Sequence, residues 1–238
     1  MYVVESSAGY SAGMSVSELS ASSQDYLKAV WALAEWSETP VTPKLMADRM
    51  GLKLSSVSDA VRKLTEQGFL EHAPYGAVTL TAQGRVHAVA MVRRHRLIET
   101  FLVETLGYRW DQVHDEAETL EHAVSDFMIE RLAELLGHPD RDPHGDPIPS
   151  ADGTVARPNA IHLTALAPGQ RARVERISDD DPQLLQFFAE NGVRYGTVLE
   201  AHPSTPYSEV IEVRVEGRTE RLALGRAATD AVWVEALT

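Results

Sequence analysis

The stretch Lys53–Thr81, KLSSVSDAVRKLTEQGFLEHAPYGAVTLT, determines the fold class of the first third of the chain. Residues 53–68 have the spacing of an amphipathic helix, and the pattern ends at Gly68, a residue type that is common just past a helix end. Residues 69–81 contain two short apolar runs around Pro-Tyr-Gly, which predict two strands joined by a turn. The stretch therefore predicts a helix followed by a β ribbon.

Two further helical patterns precede this stretch. In SSQDYLKAVWAL, residues 22–33, apolar side chains recur at helical spacing, with Ser22 and Ser23 available as caps and Pro40 beyond the helix end. The shorter pattern TPKLMADRMG, residues 42–51, ends at a glycine. The predicted order of elements is one helix, then two helices separated by glycine, then a two-stranded ribbon. This is the order found in a winged helix-turn-helix.

The second helix of such a unit would enter the major groove of DNA. Short polar side chains at its N-terminus suit base edges and phosphates, and a basic pair suits phosphates. The predicted DNA-contacting residues are Lys53, Ser55, Ser56, Ser58, Asp59, Arg62 and Lys63, with Tyr75 at the wing tip. Taken alone, SSVSDAVRKL is equally typical of a plain capped helix, but the complete element order favours DNA binding.

Composition limits the remaining possibilities. The chain has 238 residues, of which 44% are hydrophobic, so it can bury a substantial core. It lacks cysteine, which excludes disulfides and thiolate metal ligands and leaves nitrogen and oxygen as donors. No apolar run is long enough for a membrane span, and the N-terminus does not resemble a secretory signal. We therefore expect a cytoplasmic protein without a membrane partner.

The negative charge is concentrated in the middle of the chain. The net charge is −13, yet residues 1–96 carry ten Lys and Arg against nine Asp and Glu, whereas residues 97–140 carry two against eleven. The first third can therefore present a local basic face to DNA. The central segment has the composition of a cation-binding region.

Two helical stripes of histidine and carboxylate lie in and beside this segment. In VHDEAETLEH, residues 113–122, helical geometry places His114, Glu118, Glu121 and His122 on one face. In RRHRLIETFL, residues 93–102, His95 and Glu99 are four residues apart and share a face. Each pair alone is more often a surface contact. Together they predict a site for a divalent cation.

The C-terminal part has a different pattern. Residues 139–160 contain five of the twelve prolines, which predicts a linker, and DPHGDPIP within them predicts a rigid turn with a structural role for His144. Short β-branched runs follow, interrupted by one helical pattern at DPQLLQFFAENG, residues 181–192. This arrangement predicts a small, strongly curved β barrel.

The motifs HRLIETFL, VHDEAETLEHAVSD and DPHGDPIP resemble those of the diphtheria-toxin-repressor family of metal-dependent transcriptional regulators. With the N-terminal helix and the winged helix, the resemblance covers about residues 22–150 well and continues more loosely to the C-terminus. It implies a mainly α protein with a small β domain. The predicted parts are a disordered segment at 1–22, a winged helix-turn-helix at 23–84, a helical metal-binding and dimerisation domain at 85–140, a linker at 141–160 and an SH3-like domain at 161–238.

The resemblance also implies two metal sites. The primary, activating site would combine Asp25 with Glu118, Glu121 and His122. The ancillary site would combine His95, Glu99 and His114. In the family a carboxylate and a glutamine three residues apart complete the ancillary site, and Asp180 and Gln183 have that spacing here.

The primary site departs from that of the iron-responsive members, which have methionine in the place of Asp25 and cysteine in the place of Glu118. Both positions carry hard oxygen donors here. Since Mn²⁺ binds most nitrogen and oxygen sites more weakly than its neighbours in the divalent series, its selection depends on geometry and hard ligands. The sequence therefore predicts Mn²⁺ as the effector. Fe²⁺ stays an alternative because it also accepts histidine and carboxylate.

The predicted function is a manganese-dependent homodimeric repressor of metal-uptake genes that binds a palindromic operator in double-stranded DNA. It is not an enzyme and has no small-molecule substrate. An iron-dependent regulator of the same family is the first alternative. A metal-dependent phosphohydrolase is a weaker one, because the doublet His114-Asp115 could ligate a catalytic ion. A metal-independent regulator that uses the acidic helices only for dimerisation is a third.

Overall fold

The computed structural model describes residues 19–73, 76–203 and 210–237. The chain divides into two compact units, Met1–Met91 and Val92–Thr238. The predicted wing-tip residue Tyr75 lies outside the described residues, as do residues 1–18 of the segment 1–22 predicted to be disordered. That predicted segment extends too far, because residues 21 and 22 belong to the first helix.

The N-terminal unit has the element order of a winged helix-turn-helix, as predicted. Its elements are α1 (Ala21–Glu35), α2 (Pro43–Met50), α3 (Leu54–Glu66), β1 (Leu70–His72), β2 (Val78–Leu80) and the start of α4 (Ala82–Glu104). The two strands are antiparallel, with Leu70 opposite Leu80. Apolar side chains from all three short helices and both strands form the core, among them Leu27, Met46, Val57, Leu64, Leu70 and Val78.

Local chemistry explains where these helices begin and end. The cap of α1 is Ser20, whose side chain accepts the Ser23 N–H, instead of the predicted Ser22 or Ser23. Thr42 caps α2 in the same way, and Gly51 ends it in the left-handed conformation with a φ of 64°. These turns set the angle between α2 and α3, the two helices of the DNA-binding motif.

The C-terminal unit contains a helical part and a sheet. The helical part consists of the second half of α4, a 3₁₀ turn (Trp110–Gln112), α5 (His114–Leu120) and α6 (Asp126–Leu135). The elements after it are β3 (Ile161–His162), β4 (Arg171–Ile177), α7 (Pro182–Glu190), β5 (Val198–His202), β6 (Ile211–Val215), β7 (Arg221–Leu224), α8 (Arg226–Asp230) and β8 (Val232–Leu237). None of the helices in the described part of the chain combines the length and apolar character needed to cross a bilayer.

The sheet is antiparallel, with the strand order β3-β8-β4-β5-β6-β7. A bulge between Val174 and Arg176 of β4 bends it, which agrees with the predicted curvature. The predicted barrel is not closed, since no pairing within the described ranges joins β7 to β3. With only two residues, β3 offers too short an edge for a closing ladder.

The segment predicted as a linker is largely packed in its first half. Asp142, His144, Asp146 and Ile148 are all buried. Asp142 Oδ1 accepts the backbone N–H groups of His144 at 2.8 Å and Asp146 at 2.9 Å, which forms the predicted rigid turn. Gly145 at its tip lies so close to β4 that an added Cβ would be 2.3 Å from the Glu175 carbonyl oxygen. The turn therefore packs between the helical part and the sheet.

Candidate metal centre

Helix α4 supplies the first two donors. His95 and Glu99 are one turn apart, and the His95 Nε2 atom lies 3.1 Å from Glu99 Oε1. Both residues are buried, Glu99 almost completely at 1% exposure. A buried carboxylate is costly unless a cation or hydrogen-bond donors face it, so this pair requires further partners.

Two of those partners come from other elements. His114 begins α5, and its Nδ1 atom lies 3.8 Å from Glu99 Oε1 and 2.9 Å from Oδ2 of Asp179. Asp179 follows the end of β4, so it belongs to the sheet side of the unit. The rings of His95 and His114 are 5.1 Å apart in an edge-to-face arrangement. One donor atom from each of these four residues lies within 4.8 Å of the others.

The structure thus brings together the three helical residues predicted for the ancillary site and adds a carboxylate that the sequence interpretation missed. It places Asp179 in this group instead of Asp180, which is exposed and accepts a hydrogen bond from Ser178 Oγ at 2.8 Å. Gln183 lies in the first turn of α7, where its backbone N–H donates to Asp181. The run Asp179–Asp181 offers three neighbouring carboxylates, and only the path of the chain after β4 distinguishes them.

The electrostatics of this group favour charged carboxylates. Burial alone would raise the pKa of Glu99, but the charges of His95 and His144 hold it well below its ordinary value. The pKa of Asp179 is likewise lowered against burial, chiefly by the hydrogen bond with His114. Burial would lower the pKa of His114, yet Asp179 and Glu99 together raise it to about 10. A divalent cation would replace protons on this group.

Three of the four residues predicted for the primary site, Glu118, Glu121 and His122, lie beside it. Glu121 is completely buried, and its Oε2 atom lies 2.6 Å from His95 Nδ1. His122 Nε2 lies 3.6 Å from Glu121 Oε1, and Glu118 Oε1 lies 3.8 Å from His114 Nε2. Since α5 ends at Leu120, Glu121 and His122 lie beyond the helix, although the sequence pattern predicts them on one helical face with His114 and Glu118. His95 therefore contacts both Glu99 of one predicted site and Glu121 of the other.

Asp25, the remaining primary-site candidate, lies on α1 of the N-terminal unit.

The donor set fits a divalent transition metal. Every side chain in the group offers imidazole nitrogen or carboxylate oxygen, and the chain has no cysteine. The phosphohydrolase alternative loses its basis, because His114 faces the cluster while Asp115 is exposed to solvent. The two side chains of the His114-Asp115 doublet therefore do not face a common metal position.

A second surface lies on α3 in the N-terminal unit. Its apolar side, Val57, Val61 and Leu64, is buried in the core. The exposed side carries all the predicted DNA-contacting residues of this helix and of its cap, namely Lys53, Ser55, Ser56, Ser58, Asp59, Arg62 and Lys63. Arg62 pairs with Asp59 at 2.9 Å, and both remain largely in solvent. These side chains are available to DNA.

Helix α6 exposes an apolar face in the C-terminal unit. Phe127 is 69% exposed and Leu135 is 65% exposed, and Met128 lies on the same short helix. Large apolar side chains clustered on one exposed helix are typical of a surface that another protein covers.

Comparison with known proteins identifies these parts. Residues 18–78 match the iron dependent repressor N-terminal DNA-binding domain, residues 81–150 match the iron dependent repressor metal-binding and dimerisation domain, and residues 161–236 match the FeoA domain. The iron-dependent repressor IdeR of Mycobacterium leprae is 33% identical over 168 residues, which are 65% of this chain and 73% of that protein. The chain belongs to the family of the diphtheria toxin repressor and the iron-dependent repressors.

Solved structures of this family are similar to the chain over most of its length. A manganese-dependent transcriptional repressor in complex with manganese is 50% identical, with a TM-score of 0.86 over 90% of this chain and 100% of that one. ScaR with bound Zn²⁺ is 30% identical, with a TM-score of 0.76 over 90% and 98%. The predicted fold class and family are confirmed, with an open SH3-like sheet in the C-terminal domain.

Membership settles the function class. The protein is a metal-dependent transcriptional repressor with a DNA-binding domain, a dimerisation domain and a divalent metal as cofactor. Its relatives are regulators and not enzymes, which confirms that expectation. The exposed face of α6 lies within the metal-binding and dimerisation match and fits a homodimer.

Proposed function

We propose that this family member responds to manganese and represses metal-uptake genes. The observation that carries the proposal is the donor set: the predicted ligands on both sites are imidazoles and carboxylates, with oxygen donors at Asp25 and Glu118. Hard oxygen ligands favour Mn²⁺ over metals that prefer sulfur. The 50% identity to a repressor described as manganese-dependent supports the same choice.

Two ligand sets would hold the metal. Asp25, Glu118, Glu121 and His122 would form the primary site. His95, Glu99, His114 and Asp179 would form the ancillary site, with Asp179 in place of the sequence-predicted Asp180 and Gln183. A bound divalent cation would supply the positive charge that the clustered carboxylates require.

The primary-site residues come from two functional parts of the chain. Asp25 lies on the helix that precedes the DNA-binding motif, whereas Glu118 and Glu121 lie in the metal-binding and dimerisation domain. When all four side chains share one ion, they restrict the positions that the DNA-binding motif can adopt. The metal shifts the protein towards the DNA-binding conformation only as far as it binds that conformation more tightly than the others. Ligands from both parts of the chain provide this difference in affinity.

The homodimer would then present two copies of α3 to successive major grooves, which are about 34 Å apart. A symmetric dimer reads a palindromic sequence, so we propose a palindromic operator near manganese-uptake genes. Repression would hold while the metal is plentiful. We propose a cytoplasmic location, because a DNA-binding regulator shares a compartment with DNA.

Iron is the second candidate effector. The Mycobacterium leprae relative is named an iron-dependent repressor, and Fe²⁺ accepts the same histidine and carboxylate donors. The higher identity to the manganese-dependent repressor, 50% against 33%, favours Mn²⁺.

A metal titration of DNA binding tests the proposal. An operator is first selected from a random DNA library with the Mn²⁺-loaded protein. Micromolar Mn²⁺ should then promote binding that a chelator reverses. Because Fe²⁺ generally binds nitrogen and oxygen sites more tightly than Mn²⁺, selectivity is compared at saturating metal, where the Mn²⁺-loaded protein should bind the operator more tightly than the Fe²⁺-loaded protein under anaerobic conditions. Equal binding with and without metal would contradict metal gating, and tighter operator binding by the Fe²⁺-saturated protein would contradict the choice of manganese.

A further inference from the structure

His144 is a buried histidine next to the ancillary cluster that the predicted ligand sets do not include. It is 1% exposed, at the centre of the turn formed by residues 142–148. Its Nε2 atom lies 2.9 Å from the Trp110 carbonyl oxygen, and its ring stacks on the Trp110 indole with centroids 5.7 Å apart. Since a carbonyl oxygen can only accept, Nε2 carries a proton. The ring orientation is therefore fixed.

The other ring nitrogen points at a predicted ligand. Nδ1 of His144 lies 3.7 Å from Glu99 Oε2, the carboxylate oxygen opposite the one that faces His95 and His114. It is buried and forms no hydrogen bond within the described part of the chain. A buried polar atom aimed at a carboxylate restricts where that carboxylate can turn.

The backbone of His144 holds the sheet side of the cluster. Its carbonyl oxygen accepts the N–H of Ile177, the last residue of β4, at 2.9 Å. Asp179 follows two residues later. Gly145, with a φ of 95°, keeps the turn against β4 because an added Cβ would contact the Glu175 carbonyl oxygen. These contacts therefore hold the turn in a fixed position against the end of β4.

We propose that His144 is a positioning residue for the ancillary site. Its side chain orients Glu99 on α4, and its backbone fixes the end of the strand that leads to Asp179. One residue thus sets the separation of two carboxylates that come from the helical part and from the sheet. The inference rests on the proposed role of His95, Glu99, His114 and Asp179 as metal ligands.

A ligand role for His144 in a separate cation site fits the surroundings less well. Glu99, Asp142 and His144 offer donor atoms within 4.8 Å of one another. However, Asp142 Oδ1 already accepts two backbone N–H groups, and its Oδ2 atom lies 3.8 Å from Arg96 Nε. A guanidinium at that distance opposes a second divalent cation beside the first.

The test isolates the ancillary site before His144 is changed. Asp25→Asn with His122→Gln removes two predicted primary-site ligands, and Mn²⁺ binding to this background is measured by electron paramagnetic resonance of the free ion. In it, His144→Phe should weaken Mn²⁺ binding by about tenfold or more, the usual effect of losing a residue that orients a ligand. His144→Gln keeps an amide that can donate to Trp110 but places no donor at Glu99, and should weaken binding similarly.

Two controls separate positioning from a general structural effect. His87→Phe is the matched substitution, because His87 is also buried, at 2% exposure, and its ring also contacts an aromatic ring, that of Phe69 with centroids 5.3 Å apart. It should leave Mn²⁺ binding unchanged. In a Glu99→Gln background, which retains the predicted primary site, His144→Gln should not alter Mn²⁺ affinity, and each variant's melting temperature reports its folding.

The outcomes are distinguishable. Unchanged Mn²⁺ affinity in the folded His144→Gln variant would overturn the positioning role while leaving the ancillary site in place. Equal weakening in the Glu99→Gln background would overturn it by indicating a structural effect. If the background without the primary-site ligands binds no Mn²⁺, the ancillary site itself fails, and the inference fails with it.

Discussion

Nδ1 of His114 lies 2.9 Å from Oδ2 of Asp179, and this pair joins the helical part of the C-terminal unit to the end of a strand in its sheet. The contact makes Asp179, and with it the C-terminal domain, part of the ancillary cluster. If Asp179 binds the metal as we propose, a domain that lies outside the metal-binding and dimerisation match contributes a ligand.

Asp179→Asn should weaken Mn²⁺ binding at the ancillary site by roughly 10- to 100-fold, since it removes a charged oxygen donor. Asp180→Asn is the matched control, because the neighbouring residue has the same side chain but is exposed and bonded to Ser178. Isothermal titration calorimetry of both variants decides between the two carboxylates. A larger loss in the Asp180 variant would reverse our assignment.

Mn²⁺ affinity at the ancillary site should rise with pH. In the metal-free protein the pKa of His114 is raised to about 10 by Asp179 and Glu99 against burial, and a metal ligand must be deprotonated. Between pH 7 and pH 9, release of one proton raises the affinity about tenfold per pH unit. Titrations at fixed ionic strength measure this slope, and Asp179→Asn, which removes the main partner of His114, should reduce it.

The stability of the metal-free protein should change in the opposite direction. The pKa of His114 in the folded state, about 10, is above the ordinary value of 6.5. Its protonation therefore stabilises the folded state fully below pH 6.5, and this stabilisation is lost as the pH rises towards 10. The melting temperature without metal should fall between pH 7 and pH 9. A melting temperature that rises over this range would contradict the assigned pKa direction.

The metal preference should depend on the two oxygen donors that distinguish this chain from iron-responsive members. Asp25→Met with Glu118→Cys replaces hard oxygen by soft sulfur and should weaken the Mn²⁺ response of DNA binding relative to Fe²⁺ and Co²⁺. Asp115→Cys, on the exposed side of α5, is a control for an added thiol. An unchanged ranking of metals in the double variant would remove the basis for selectivity.

Contacts from α3 to DNA should appear in the salt dependence of binding. Lys63 is exposed on α3, and if it neutralises one phosphate, Lys63→Ala should reduce the slope of log K against log salt by about 1 per contact. Arg221→Ala removes an exposed cation of β7 that pairs with Glu212 and lies outside the DNA-binding domain. It should leave the slope unchanged. Equal slopes for Lys63→Ala and the parent would exclude this phosphate contact.

The sequence predicted the elements that depend on local patterning. Glycine at residue 51 and apolar spacing along α3 are sufficient to place the helix-turn-helix, because caps and amphipathic periodicity act within a few residues. The four-residue spacing of His95 and Glu99 likewise predicts their proximity. The helical pattern at residues 181–192 appears as α7, Pro182–Glu190.

The sequence was less informative wherever the answer depends on contacts between distant elements. Asp179, Asp180 and Asp181 are chemically alike, and only the packing of β4 against the turn at His144 places the first of them beside His114. The sheet stays open because β3 has only two residues, and residue propensities do not predict the length of this strand. Proline content suggested a linker at 139–160, but buried charges and Gly145 hold much of it in the interior.

That buried turn has a thermodynamic consequence. Asp146 binds Arg176 of β4 at 2.7 Å and Arg96 of α4 at 3.2 Å, so separating the sheet from the helices would leave charged groups unpaired in the interior. Residues 92–238 should accordingly unfold as one cooperative block, with a single calorimetric transition. A protein that ends at residue 150 would lose stability in its helices, since Asp146 would lose its partner Arg176 on β4 while it still faces Arg96 on α4.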